Sequence, residues 1–295
     1  MEFPGCHTQT RFNGFVCGSH RFVTGGYYLA VADFTRMATS HSSGESRMTT
    51  LSVAMPAFNE AENIPAMIAE VVQVVGPLVA DFEVIVVDDG SRDNTAQVVQ
   101  QMVQRYPQVR LVQHGVNKGY GTAVWTGLTS ASKELVFFTD ADRQFDINEL
   151  QKLLTELPRA DLVVGYRAPR RDPFMRRLNG HGWSSLVTLL FGYTARDIDC
   201  AFKLMRHQVI DQLRDEVQSG GATFSAEFLV RAKRAGFRIA EVSLHGHRPR
   251  VAGNPTGAKP AVIIRAFREL VRFRVQLWRE GRVIMQHRVE GETAV

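Results

Sequence analysis

The chain has 295 residues, 44% hydrophobic and 22% charged, enough for one large or two small domains with a core; this excludes a disordered tail, a coiled coil or a disulfide miniprotein. Three scattered cysteines, Cys6, Cys17 and Cys200, make neither a disulfide framework nor a cysteine-rich zinc site, so a reducing compartment is expected. The net charge of +5 is uneven: residues 48–230 carry 17 Lys or Arg against 22 acids and residues 231–295 carry 14 against five, which predicts a basic surface for an anionic partner such as phosphate, lipid headgroups or nucleic acid.

Residues 1–47 have neither helical nor strand periodicity and are dotted with Gly, Ser and Thr. They read as a disordered extension, as a start set too early with Met48 the true first residue, or as a small lid. No run of about 18 apolar residues occurs, so no helix is expected to span a bilayer unaided. Asn13, His20 and Arg21 break the stretch from Phe12 to Ala32, so no secretory leader is read there.

From Leu51 the chain alternates short β-branched runs with amphipathic stretches of helix length. Strands are predicted at Leu51–Pro56, Phe82–Val87, Val109–Gln113, Leu135–Thr139 and Asp161–Val164. Asn59 before Glu62, and Asp146 before Glu149, read as capping boxes opening helices. Continuous apolar strands such as Val84-Ile85-Val86-Val87, alternating with helices, predict an α/β fold with a parallel sheet covered on both faces. A basic stretch, Arg167–Arg177, and an apolar one, Trp183–Phe191, follow. Then come a strand-like run at Asp199–Met205, a helix near Phe224–Arg234, a strand at Phe237–Leu244, a Gly/Pro/Arg loop at His245–Lys259 and a helix opened by Pro260.

Ligands of open parallel sheets bind beyond the carboxyl ends of the strands. Four strands in succession lead there to Phe58-Asn59-Glu60, Asp88-Asp89-Gly90-Ser91, Asn117-Lys118-Gly119-Tyr120-Gly121 and Asp140-Ala141-Asp142-Arg143-Gln144. In extended backbone Asp140 and Asp142 point the same way, so two carboxylates address one cation. Mg²⁺ or Mn²⁺ typically takes one or two carboxylates and completes its shell with water and phosphate oxygens, which suggests a metal-bound nucleotide diphosphate. Of Asp88 and Asp89, one is expected to cap the next helix and one to touch the nucleotide. Lys118 complements phosphate. The glycines match neither a dinucleotide fingerprint nor a P-loop.

These four segments, in this order and spacing, resemble the family 2 glycosyltransferases, and within them the dolichyl- and polyprenyl-phosphate sugar synthases. The similarity runs from about Thr50 to Arg274. It implies a GT-A fold, a Rossmann-like, mostly parallel sheet flanked by helices. Residues 48–259 would be the catalytic domain, and 260–295 a basic amphipathic interface helix and tail. It also implies a nucleotide sugar donor whose diphosphate is held by Mg²⁺ or Mn²⁺ on Asp140, Asp142 and Gln144. Pro56, Phe58, Glu60, Asp88 and Asp89 match positions that hold the nucleoside, with Lys118, Gly119 and Ala141 lining the donor site. Arg167 and Arg176 would grip a polyprenyl phosphate, and Arg250 and Lys259 resemble a basic loop that closes over the phosphates. The chain departs from the family pattern on the acceptor side, with Gly180 where a Ser is usual, Cys200-Ala201 where Ser-Gly is usual, and a longer loop around Asn254–Ala258.

A lipid phosphate is already anionic near neutral pH, so its attack on the anomeric carbon needs no general base, and direct displacement inverts the configuration. With a glycan hydroxyl as acceptor, Asp197 or Asp199 would be the base; otherwise either pairs with an Arg such as Arg196. Cys200 reads as a small buried side chain. The helix after Pro260 sets Ile263, Ile264, Phe267, Leu270, Val271, Leu277 and Trp278 on one broad face with Arg265, Arg268, Arg272 and Arg279 opposite, suited to an in-plane position at the cytoplasmic face of a membrane or to packing on the domain. Phe174, Leu178, Trp183, Leu186 and Leu190 form a second such set, and a membrane-embedded partner would supply any further anchor. The rival readings are a transferase acting on hydroxyls, a processive polysaccharide synthase, and a non-enzymatic basic module binding membrane or nucleic acid. The last leaves the acidic strand ends unexplained, and no nucleic-acid partner is expected.

Overall fold

The structure is a computed structural model that describes residues 49–168, 174–248 and 260–292, with the side chains of 174–179, 181, 260–263 and 281–292 left aside. The reading of residues 1–47 lies outside the described residues. Seven strands form one sheet: β1 Thr50–Ala57, β2 Asp81–Asp88, β3 Val109–Gln113, β4 Leu135–Thr139, β5 Leu162–Arg167, β6 Phe202–Arg206 and β7 Ile239–Leu244. Their order is β3-β2-β1-β4-β6-β5-β7. All pairings are parallel except those of β6, which runs antiparallel to both β4 and β5.

The apolar run Val84–Val87 in β2 and the run Leu135–Phe138 in β4 are buried because helices cover both faces of the sheet. The helices are α1 Ile64–Val75, α2 Thr95–Arg105, α3 Tyr120–Thr129, α4 Leu150–Leu154, α5 Phe174–Phe191, α6 His207–Leu213, α7 Phe224–Arg234 and α8 Pro260–Glu292. None of the described helices is long and apolar enough to cross a membrane. The chain builds outward from β1 through β2 to β3 and then returns to place β4 on the other side of β1, so the strand order reverses between β1 and β4. That reversal opens a crevice at their carboxyl ends.

The first expected capping box does not form. Asn59 adopts a left-handed φ of 57° and its Oδ1 accepts from the Arg92 N–H, while α1 begins only at Ile64, with Pro65 in its first turn. The second forms by half: Asp146 accepts from the Asn148 N–H and caps a short 3₁₀ turn, Ile147–Glu149, but the Glu149 carboxylate turns away to the His245 and Gly246 N–H groups. The run expected as a strand from Asp199 enters the sheet only at Phe202.

The basic helix α8 is docked by Ala266, Leu270, Phe273 and Leu277, which are buried. Phe273 packs on Phe191 at the end of α5, with ring centroids 5.1 Å apart. The Arg231 guanidinium lies 5.3 Å over the Phe273 ring and bonds Glu227 at 2.8 Å, Glu280 at 3.2 Å and Glu216 at 3.3 Å. Thr223 adds a 2.8 Å bond to Glu269. The expected broad apolar face of α8 is thus split, with Leu270 and Leu277 inside and Ile264, Phe267, Val271 and Trp278 exposed. In the second expected set, Trp183, Leu186 and Leu190 pack against the core, and the side chains of Phe174 and Leu178 lie outside the described ones.

Arg231→Ala strands the buried Glu227 without its counter-charge and is expected to cost about 3–5 kcal/mol, read as a lower urea midpoint. The double change Arg231→Met with Glu227→Gln, which removes both charges, is expected to recover most of that loss.

Candidate functional site

The crevice is built from loops stitched to one another by short polar side chains. Behind β1, the Asn59 N–H donates to Ser91 Oγ at 2.9 Å, the Glu60 N–H to Thr95 Oγ1 at 2.9 Å and the Ala61 N–H to Asp93 Oδ2 at 3.3 Å, which fix the β1 and β2 loops together. Pro56 is buried inside β1 and Phe58 is half-buried just beyond it. The Glu60 carboxylate is buried and accepts from Asn63 Nδ2 at 2.6 Å.

The adjacent acids after β2 divide their work. Asp88 accepts from the Ser91 N–H at 3.0 Å, closing a tight turn. Asp89, only 3% exposed, takes the Lys118 N–H at 2.8 Å on Oδ1, the Gly119 N–H at 2.9 Å on Oδ2 and the His114 ring nitrogen Nδ1 at 2.7 Å. His114 then reaches Thr126 Oγ1 in α3 at 3.0 Å. His114 was not singled out from the sequence; its place directly after β3 was the one available signal.

Gly119 sits at φ +99°, a conformation that L side chains rarely adopt, and turns the chain into α3. A Cβ on Gly121 would lie 2.6 Å from the Gly221 carbonyl, and the Thr122 N–H bonds the Gly220 carbonyl at 3.2 Å. The start of α3 therefore lies backbone to backbone against residues 220–221, a seam the sequence reading missed. The Lys118 side chain is exposed at its edge.

At the end of β4, Asp140 accepts from the Tyr120 hydroxyl at 3.0 Å, and Ala141 and Asp142 are buried. Arg143 has φ 60°, unusual for a non-glycine, and this left-handed turn lets the Gln144 N–H return to Asp142 Oδ1 at 3.1 Å. Gln144 also receives the Arg248 N–H on its carbonyl at 2.7 Å and donates Nε2 to the Arg248 carbonyl at 3.3 Å. The acidic edge is thereby tied to the segment that leads toward Arg250. Arg250 and Lys259 lie outside the described residues, and Arg176 lies in the first turn of α5 with its side chain outside them.

On the far side of the crevice, Arg167 donates Nε at 2.7 Å and Nη2 at 2.8 Å to the two oxygens of the buried Asp197, a two-point pair. Asp197 therefore pairs with Arg167 and not with Arg196, which lies 5.1 Å over the Tyr166 ring and donates its N–H to Glu241. Lys203 in β6, 2% exposed, donates Nζ to the Cys200 carbonyl. Burial draws its ammonium below the usual range, against the opposing charges of Asp199, Asp197 and Asp140. Burial, with the Asp197 charge adding to it, pushes the Cys200 thiol up to about 12, so Cys200 is an inert core side chain.

Tyr120 and Asp199 are exposed to solvent beside the acids at the strand ends. Desolvation there, followed by the charges of Asp140, Asp199 and Asp142, holds the Tyr120 hydroxyl well above its ordinary range, so it stays a proton donor. Desolvation, with the Asp197 charge adding and Lys203 opposing, pushes the Asp199 carboxyl up to about 6. Negative charge is thus concentrated at the strand ends, and the pair Asp140 and Asp142 offers hard oxygen donors of the kind and number Mg²⁺ or Mn²⁺ takes beside phosphate oxygens. By this donor chemistry the residues fit a divalent cation, with Gln144 adjacent. Among the described residues no group of three His, Cys, Asp or Glu side chains forms a closed metal cage.

The model of the family described as Glycosyl transferase family 2 matches residues 52–214, which include all four strand-end segments. The chain belongs to the family 2 glycosyltransferases. Among the relatives, it is 32% identical over 206 residues to a dolichyl-phosphate beta-glucosyltransferase of Trichomonas vaginalis, covering 64% of this chain and 61% of that protein. To a second protein of that description from the same organism it is 28% identical over 77% of this chain and 75% of the relative. To the glycosyltransferase AglD of Haloferax volcanii it is 31% identical over 65% of this chain but 32% of that protein. The chain thus spans less than two thirds of the first and third of these relatives. In fold, the family 2 chain resembles glucosyl-3-phosphoglycerate synthase from Mycobacterium tuberculosis, solved in complex with Mn²⁺, UDP-glucose and phosphoglyceric acid, with a TM-score of 0.61 at 21% identity over 77% of this chain and 80% of that one.

The raised Asp199 carboxyl gives a signed pH dependence. Its folded value near 6 lies above the ordinary 3.8, so its contribution to stability is present below about pH 4 and lost as the pH rises through 6. Asp199→Asn is therefore expected to raise the melting temperature at neutral pH and to leave it unchanged near pH 4, as read by thermal unfolding at both. Gly121→Ala is expected to destabilise: the overlap with the Gly221 carbonyl outweighs the gain of about 1 kcal/mol in helix propensity.

Proposed function

We propose that this protein transfers a sugar, glucose or mannose, from a nucleoside diphosphate sugar to a polyprenyl or dolichyl phosphate at the cytoplasmic face of a membrane, inverting the anomeric configuration. The observation that carries this reading is the pair Asp140 and Asp142 leaving β4 at the reversal of the sheet, with Tyr120 bonded to Asp140 and the 117–119 loop alongside. The relatives described as dolichyl-phosphate beta-glucosyltransferases support a lipid phosphate acceptor and favour glucose. The mycobacterial complexes with Mn²⁺ and UDP-glucose support a uridine nucleotide donor and a divalent metal. The catalytic domain is residues 48–259, followed by the basic helix and tail.

Asp140, Asp142 and Gln144 would hold Mg²⁺ or Mn²⁺, which supplies positive charge to the departing diphosphate. Pro56, Phe58, Glu60, Asp88 and Asp89 shape the nucleoside end, Asp89 by holding the 117–119 loop, and Lys118, Gly119 and Ala141 line the approach of the phosphates. An acceptor phosphate oxygen attacks the anomeric carbon as the bond from that carbon to the diphosphate breaks. The acceptor is anionic at neutral pH, so the protein's task is to bring two anions together and neutralise them. Arg176, Arg250 and Lys259 serve that end, and Arg167 is fixed against Asp197.

A second reading, transfer to a glycan hydroxyl, is favoured by one observation: Asp199 is a solvent-accessible carboxyl with a value near 6, suited to a general base, whereas Asp197 is committed to Arg167.

The protein is incubated with Mg²⁺ or Mn²⁺, a short polyprenyl phosphate and labelled UDP-glucose or GDP-mannose, and organic-extractable label is counted. Label from UDP-glucose is expected. Asp140→Ala is expected to abolish metal-dependent nucleotide binding and to lower transfer at least about 100-fold; retention of both would overturn the metal assignment. Asp199→Asn should leave transfer to lipid phosphate within a few-fold, whereas a loss of roughly 10²–10⁴-fold would move the assignment to a hydroxyl acceptor.

A further inference from the structure

Tyr120 stands at the first position of α3 with 42% of its surface exposed, and its hydroxyl donates to Asp140 Oδ1 at 3.0 Å. A ring left this open gains little from burial, so the polar end is the part of the side chain that the fold uses.

The backbone on both sides of Tyr120 is anchored. Before it, the Lys118 and Gly119 N–H groups are held by the Asp89 carboxylate, and Gly119 turns the chain at φ +99°. After it, the Thr122 N–H bonds the Gly220 carbonyl at 3.2 Å and the Ala123 N–H bonds the Gly119 carbonyl at 3.0 Å. One turn further, Thr126 meets the His114 ring, which itself bonds Asp89. The hydroxyl therefore reaches Asp140 from a base that is fixed in place.

The two acids at the end of β4 are held in different ways. Asp142 accepts from the Gln144 N–H at 3.1 Å within its own left-handed turn, whereas Asp140 is reached from α3, 20 residues upstream. The charges of Asp140, Asp199 and Asp142 all act on the Tyr120 hydroxyl, which sets this donor among three carboxylates. Carboxylates so grouped repel one another, and a donor bonded to one of them fixes its plane. A phenol is uncharged at neutral pH, so it orients a carboxylate without cancelling the charge that draws a cation. Hydrogen-bond partners behind a metal ligand act in this way and raise the affinity of the site.

We propose that Tyr120 is a positioning residue for the metal site, its hydroxyl setting the orientation in which Asp140, with Asp142, receives Mg²⁺ or Mn²⁺. This role rests on the transfer reading, from which the metal comes. Because Asp89 fixes the start of α3, the geometry at the end of β2 is passed through this hydroxyl to the acids at the end of β4.

The test is equilibrium dialysis of the full chain against labelled UDP over a range of free Mn²⁺, with labelled GDP run in parallel. The wild type is expected to retain nucleotide as Mn²⁺ rises. Tyr120→Phe keeps the exposed ring and removes the hydroxyl, so its thermal melt is expected to be unchanged. Its half-maximal Mn²⁺ concentration is expected to rise at least about tenfold. At saturating Mn²⁺ its nucleotide affinity and its transfer rate should match those of the wild type, the mark of a residue that acts through a metal ligand and not on the substrate. An unchanged or lower Mn²⁺ requirement in Tyr120→Phe overturns the positioning role alone. So does a loss of nucleotide affinity that persists at saturating Mn²⁺, since the hydroxyl would then serve the nucleotide itself. A wild type that retains neither nucleotide at any Mn²⁺ concentration overturns the transfer reading and the role of Tyr120 with it.

Discussion

One buried carboxylate holds the β2 side of the crevice in shape. Asp89 leaves a fully apolar strand, where an unmatched charge would be costly, and it is matched by two backbone N–H groups and a histidine ring from beyond the next strand. Because the two N–H groups belong to Lys118 and Gly119, the same bonds that satisfy Asp89 fix where α3 begins. That start in turn presents the Tyr120 hydroxyl to Asp140 across the crevice. The chain of dependence runs from the end of β2, through α3, to the end of β4, so the acidic edge is positioned from both sides of β1.

The part of the crevice beside β5 and β6 is organised by opposite charges in a small volume. Arg167 and Asp197 cancel one another in a two-point pair, and the buried Lys203 offsets part of the remaining acid. What is left over is Asp199, which is exposed to solvent. A surface of this kind accepts a cation readily and an anion only when a cation accompanies it.

Much of the sheet was legible because its strands are short, apolar and bounded by turn residues. Val109–Gln113 and Leu135–Thr139 have the predicted bounds, and so does helix Phe224–Arg234. The acids at the strand ends were legible for a related reason, since polar residues directly after buried strands stand out against them. What stayed hidden depends on contacts far apart in sequence. Nothing local to Asn59 says that its side chain will bond Arg92, and nothing local to Gly121 says that Gly221 will press against it. The pairing of Asp197 with Arg167 across 30 residues belongs to the same class. Likewise, periodicity gave α8 one wide apolar face, and only the packing of the body divides it into a buried and an exposed stripe.

The lone antiparallel strand, β6, has a consequence for how the molecule assembles. β2 pairs β1 and β3 from nearby stretches of chain, but β4 reaches back to β1, with Leu51 opposite Leu135, and β6 wedges between β4 and β5, with Leu135 opposite Arg206 and Thr139 opposite Phe202. Each of these long closures carries an entropic cost before any pairing rewards it. Because the whole of α5 separates β4 from β6 in the chain, β4 gains its second partner only once residues 202–206 are in place. Until β6 arrives, β4 offers an open apolar edge to any passing strand, which makes the interval before closure the moment of greatest exposure to misassociation.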